Sequence, residues 1–155
     1  MTELFSIRLA TPADAPIIIA HRRAMFEAMG VGSRADLDAM DVAFADWLAD
    51  RLACGEYRGW FATNECGEVI AGAGVWLVAW APTPRDQAAL WGYVMNVYTH
   101  SDYRRQCLAR RLMRAVMDWC RGHNVHTLFL KARDTGRPLY ESLGFRQTNE
   151  MRIQI

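Results

Sequence analysis

The stretch Tyr103-Arg104-Arg105-Gln106-Cys107-Leu108-Ala109-Arg110-Arg111-Leu112 closes a predicted strand, crosses a short turn and opens a helix, with arginines clustered at the junction. The first turn of a helix leaves about four backbone N–H groups unpaired, and the aligned peptide dipoles place roughly half a positive charge there. An anion such as a pyrophosphate answers both. Leu108, Leu112, Val116, Trp119 and Cys120 recur at helical spacing, with Arg110, Arg111, Arg114 and Arg121 mostly off that stripe. The loop should therefore be pinned to a helix that buries one apolar face.

The elements that must hold this junction are readable on both sides of it. Phe5 to Leu9 alternates like an edge strand, and Thr11-Pro12 supplies an N-cap with proline at the first helical position of a helix running to about Met29. Gly30 to Ser33 makes a break, and a second helix is expected from about Arg34 to Ala53. Arg58 to Thr63 and Val69 to Trp80 read as an antiparallel hairpin, ended by Pro82 and Pro84. Leu90 to Thr99 is the strand before the loop, and the helix after it ends near Gly122. His126 to Ala132 should be a strand parallel to Leu90–Thr99, since a strand, helix, strand crossover demands that arrangement. A short helix near Pro138 to Ser142 and strand segments at Phe145 to Gln147 and Glu150 to Gln154 complete the chain, read as one domain over 1–155.

Arg104-x-x-Cys107-x-Ala109 after a strand resembles the acetyl-CoA loop of the GCN5-related N-acetyltransferases, [Q/R]-x-x-G-x-[G/A], departing from it at Cys107. Leu139-Tyr140-Glu141-Ser142-Leu143-Gly144-Phe145, a late aromatic before a Gly-Phe step, is similar to a second feature of that family, at the expected separation. With the strand Val94 to Thr99, the resemblance runs over nearly the whole chain. It implies a mixed α/β fold: a mostly antiparallel sheet with one splayed parallel strand pair and helices on both faces. It also implies an N-acetyltransferase moving an acetyl group from acetyl-CoA to a primary amine, on a small molecule or a protein, by direct transfer.

Carried over residue by residue, the resemblance gives the backbone of Val97 and Thr99 to the pantetheine arm. The loop of Arg104, Arg105, Gln106, Cys107, Leu108, Ala109 and Arg110 is given to the pyrophosphate, chiefly through its amides. Cys107 stands where the pattern has glycine, so either the position has near-helical φ/ψ and tolerates a Cβ, or the loop is adjusted and cofactor binding weakened. A cysteine at a helix N-terminus among arginines is also a candidate for oxidation or alkylation. Tyr140 matches the family's tyrosine, and a phenol with a pKa near 10 can give a proton to a departing thiolate. The asparagine that often lies seven residues before that tyrosine is Arg133 here, and the strand position that carries a glutamate in some members is Tyr93. The base is then an ordered water, His100 or an acid of the first helices, of which Glu27 is the best placed. Asn96 either orients the acceptor or a water, or makes a structural hydrogen bond. Trp80, at a strand end beside Pro82, is the tryptophan expected to border an acceptor pocket.

Composition sets the rivals. With 52% hydrophobic and 23% charged residues the chain is an ordinary globular sequence, and a formal net charge of +1 argues against a general nucleic-acid binder. No apolar run reaches the ~20 residues of a membrane span. The first residues lack a basic and apolar leader, so a cytoplasmic protein is expected. The four cysteines, with no CxxC, read as free thiols. Cys120-x2-His123-x2-His126 is no zinc site, because the segment passes from helix to turn to strand. A non-catalytic acyl-CoA-binding or sensing domain is the alternative function. Exposed edge strands would suit a homodimer.

Overall fold

The structure is a computed structural model that describes residues 4–155. Asp14 fixes the entry to the first helix: its carboxylate accepts from the Thr11 N–H at 2.7 Å and from both ends of the Arg8 guanidinium at 2.8 and 2.9 Å. Residues Pro12–Asp14 therefore form a 3-10 turn rather than the first helical turn, and α1 runs Ala15–Met29. Gly30, left-handed at φ 64°, ends it, as the Gly30 to Ser33 break anticipates. Ser33 and Asp36 then make a reciprocal capping box at the start of α2, Arg34–Cys54.

The strands are β1 (Ser6–Leu9), β2 (Tyr57–Thr63), β3 (Val69–Ala79), β4 (Leu90–Thr99) and β5 (Leu128–Phe129), hydrogen-bonded in that order. All neighbours are antiparallel except β4 and β5, which are parallel. Helix α3 (Leu108–Gly122) makes the crossover between the parallel pair, and α4 (Arg137–Ser142) follows β5. This is the expected mixed sheet. One face buries Ile18 of α1, Phe44 and Leu48 of α2, and Tyr57 and Phe61 of β2. The other buries Leu108, Leu112, Met113 and Val116 of α3 against Ala73, Val75 and Val94. At roughly 2 kcal/mol for each large apolar side chain removed from water, that face holds the start of α3, and the loop before it, firmly against the sheet.

Two expectations are corrected at the end of the chain. The strand predicted over 126–132 is ordered as a ladder only at Leu128–Phe129. No strand forms at 145–147 or 150–154. Gly144 turns the chain at φ 97°, and the following segment lies across a cavity of about 750 Å³ from Leu128 to Ala132, out of hydrogen-bonding reach of that edge. Its alternation is real, with Met151, Ile153 and Ile155 exposed along one side, but no strand edge meets it. Among the described residues no helix is long and apolar enough to cross a membrane, and no cluster of side chains could hold a metal ion.

Candidate functional site

Strand β4 pairs with β5 only at Gly92↔Leu128 and Tyr93↔Phe129, where the Gly92 N–H donates to the Thr127 carbonyl at 2.9 Å. Beyond Tyr93 the two strands part, so the edge of β4 from Val94 to Thr99 has no ladder partner there among the described residues. A bulge decides which groups that edge presents. On β3 one residue, Ala73, separates Gly72 from Gly74; on β4 Asn96 and Val97 separate their partners Tyr98 and Met95. Two residues facing one reverse the alternation. The His100 N–H donates to Ile70 on β3, so Tyr98 also turns its backbone groups toward β3, and Val97 and Thr99 turn theirs to the open edge. Asn96 makes the bulge with φ 56°, a left-handed geometry that asparagine tolerates better than most residues.

Directly after this edge, the chain leaves a run of amides unspent. Tyr103 and Arg104 donate to His100 and Ser101, and Arg111 closes the first helical bond on the Cys107 carbonyl. Between them, the N–H groups from Arg105 to Arg110 have no hydrogen-bond partner among the described residues. Arg105 (φ 64°) and Cys107 (φ 59°) are left-handed. Left-handed residues alternating along a turn gather successive N–H groups into an anion-binding concavity, here at the positive end of α3. Cys107 is thus in the conformation that favours glycine, and the near-helical alternative for it is set aside.

Edge and loop form one cleft of about 570 Å³, closed on the far side by Met25 and Met29 of α1 and by Leu139 of α4. Arg133 and Thr135 also line it. Among the described residues no carboxylate does. Glu27, the sequence candidate for a base, is not brought to the cleft: its Oε1 accepts from Arg23 Nε at 2.9 Å on the outer side of α1. His100 is exposed and its ring faces Asp102. Trp80 stacks on Trp91 with ring centroids 4.4 Å apart and lines neither cavity. Tyr140 follows Leu139 on α4 but opens onto the second, 750 Å³ cavity. Its ring packs against Phe145, and burial raises its pKa, so the phenol keeps its proton at neutral pH.

Sequence reasoning missed a polar chain under the bulge. Asn96, only 4% exposed, donates from Nδ2 to the Tyr57 hydroxyl at 3.0 Å and accepts at Oδ1 from Arg22 Nη1 at 3.0 Å. Of the two roles open to Asn96, the structural hydrogen bond is the one seen. Burial pushes the Tyr57 hydroxyl up to about 12. His21, against Tyr98 and Phe61, is pushed down to about 4, chiefly by burial and then by His100. The spacing Ile18, His21, Met25 along one face of α1 was the available signal for it.

An open strand edge followed by free amides at a helix N-terminus is a receptor for an extended chain that ends in an anion. The model of the acetyltransferase (GNAT) family matches residues 21–145, so this chain belongs to that family, whose general activity is acetyl transfer from acetyl-CoA. Among solved structures, a GCN5-related N-acetyltransferase from Ralstonia eutropha JMP134 is similar at 31% identity and a TM-score of 0.90, over 97% of this chain and 98% of that one. A predicted acetyltransferase with acetyl-CoA from Clostridium acetobutylicum has 23% identity and a TM-score of 0.88, over 97% and 96%. Glucosamine-6-phosphate N-acetyltransferase from Arabidopsis thaliana has 17% identity and a TM-score of 0.68, over 99% of each chain, a likeness of fold alone. A comparison with curated proteins gives no match.

Proposed function

We propose that the chain, as one domain, transfers the acetyl group of acetyl-CoA directly to a primary amine. The observation that carries this is the continuity of the open β4 edge with the free amides of Arg105 to Arg110, an extended receptor for an arm that ends in a pyrophosphate. The residues fit that cosubstrate: Val97 and Thr99 offer backbone groups in the place of a missing strand, and the loop amides offer N–H donors to the phosphates. Arg104, Arg110 and Arg133 on the cleft wall add charge without having to touch each phosphate. Acetyl-CoA supplies a thioester, an acyl group already activated toward nitrogen nucleophiles.

The chain's own contribution is positioning and proton handling. A new C–N bond forms as the C–S bond breaks, the amine gives up a proton and the departing sulfur takes one. In this reading Tyr140, next to the cleft residue Leu139 although its own side chain opens onto the neighbouring cavity, holds the second proton on a phenol whose pKa burial raises further. With no carboxylate among the described residues of the cleft wall, a water carries the first. That same absence favours a second reading, a domain that binds acyl-CoA without turning it over. A CoA-release screen over an amine panel at constant acetyl-CoA separates them: the enzyme releases CoA in response to an amine, and the sensor binds acetyl-CoA without amine-dependent release. The four free thiols suit a cytoplasmic setting, and the unpaired outer edge of β5 suits a homodimer.

A further inference from the structure

Arg22 is a half-buried cation with no anion beside it among the described residues. Its Nη1 donates to Asn96, its Nε is buried with no partner, and Nη2 makes no hydrogen bond among the described residues. The guanidinium carbon lies 4.7 Å from the Phe44 ring centre and 5.1 Å from that of Phe26, so two aromatic faces hold it in place. Its neighbour Arg23 shows the usual arrangement, bonded to Glu27, Asp38 and Asp41. Removing an unpaired charge from water costs several kcal/mol, and a chain that needed only a donor for Asn96 could have used a neutral one. Burial lowers the Arg22 pKa, and only the Tyr57 and Tyr93 hydroxyls oppose that shift.

Its position gives the vacancy a meaning. Arg22 shares a face of α1 with Met25 and Met29, which line the cleft. Asn96, which orients it, precedes Val97, where the open edge is presented to the cleft. Arg22 is not itself on the cleft wall; its guanidinium lies beside the bulge where the open edge begins, about one turn of α1 before Met25. Tyr93, three residues before Asn96 on β4, packs its ring against Trp76 and Phe129 and so gives the strand an aromatic patch. Arg152 already has Glu150 at 3.1 Å.

Resting on the acetyltransferase reading, we propose that Arg22 binds the carboxylate of the acceptor, which is an amine of the amino-acid class with an apolar or aromatic side chain. With Nε buried and Nη1 on Asn96, the open Nη2 end offers a charge-assisted donor to one oxygen of a monoanionic carboxylate. A phosphate dianion would call for a second free cation beside it. Asn96 is a positioning residue for this contact.

The test uses matched probes. With acetyl-CoA constant, phenylalanine and phenethylamine differ by the carboxylate; with CoA-loaded protein, 3-phenylpropanoate and 3-phenylpropan-1-ol differ by the charge. Wild type should favour the first of each pair by about 10- to 100-fold, the range for a charge-assisted contact. Arg22→Met should lose that preference while its acetyl-CoA affinity is unchanged, and Arg22→Lys should keep part of it. Equal use of both members by wild type, or a preference that survives in folded Arg22→Met, would overturn the proposal, and the wild-type comparison decides even if the variant does not fold. Binding discrimination without any CoA release defeats the acetyltransferase reading and supports the carboxylate site. CoA release without discrimination does the reverse, and the lack of both overturns both.

Discussion

At Cys107 a side chain occupies a left-handed backbone position that costs a residue with a Cβ about 1–2 kcal/mol. Cys107→Gly removes that strain but adds about 0.5–1 kcal/mol of unfolded-state entropy. A net stabilisation of up to about 1 kcal/mol is expected, read as a denaturant midpoint, with acetyl-CoA affinity equal or tighter. A bulky thiol adduct there should block the cofactor, and unchanged binding after alkylation would place Cys107 off the concave side of the loop. Tyr140→Phe keeps the ring and removes the proton. It should lower kcat by about 10- to 1000-fold with little change in acetyl-CoA affinity. The wild-type pH profile should lose activity on its alkaline side, above the usual phenol range, and the mutant should lack that limb. A mutant with wild-type kcat, under conditions where chemistry limits the rate, would leave solvent as the acid.

The bulge in β4 is the element on which the site turns, and it depends on small residues in β3. A Cβ built at Gly74 would overlap the Tyr57 hydroxyl, which is buried and bonded to Asn96. Gly74→Ala should therefore destabilise the fold by about 1–3 kcal/mol and disturb Arg22 through Asn96, measured as a lower melting temperature. None of this is local in sequence. The loop with its free amides was legible because its residues are contiguous, and the limits of β4 were legible from apolar content between turn signals. The bulge was not, because it is defined by a count across two strands, and Asn96 announces only tolerance of positive φ. Glu27 was misplaced for a reason the sequence did contain: it lies about 200° around the helix from Met25, so the two cannot share a face. The terminal strands failed because alternation reports an extended chain and says nothing of a partner.

For the molecule as a whole, acetyl-CoA or CoA should raise the melting temperature, by about 2.7 kcal/mol of stabilisation at 100 times Kd. A flat response at millimolar ligand, in protein freed of co-purified CoA, would remove the cofactor assignment. Stability should also fall in mild acid. His21 is pushed down to about 4 in the folded state, so as pH drops below about 6.5 the unfolded chain takes up a proton that the folded chain refuses. The loss grows down to pH 4, to about 3 kcal/mol. Asp14, held down to about 2 by Arg8, adds a further loss only below the usual carboxylate range. Melting scans from pH 7 to 4 should show the first decline, and His21→Gln should flatten it.

The brevity of the β4–β5 ladder sets how the last thirty or so residues come loose. With ladder pairing at Gly92 and Tyr93 alone, and otherwise held by side-chain packing and a few side-chain hydrogen bonds, β5, α4 and the tail should open as a cooperative unit well before the antiparallel strands do. In deuterium-exchange measurements, amides beyond Thr127 should then exchange at a common rate, faster than those of β2 and β3. A ligand laid along Val97 and Thr99 would bridge the gap between the parted strands. Cofactor loading should therefore slow exchange in α4, and proteolysis after Arg133 or Arg137, although those peptide bonds lie outside the ladder.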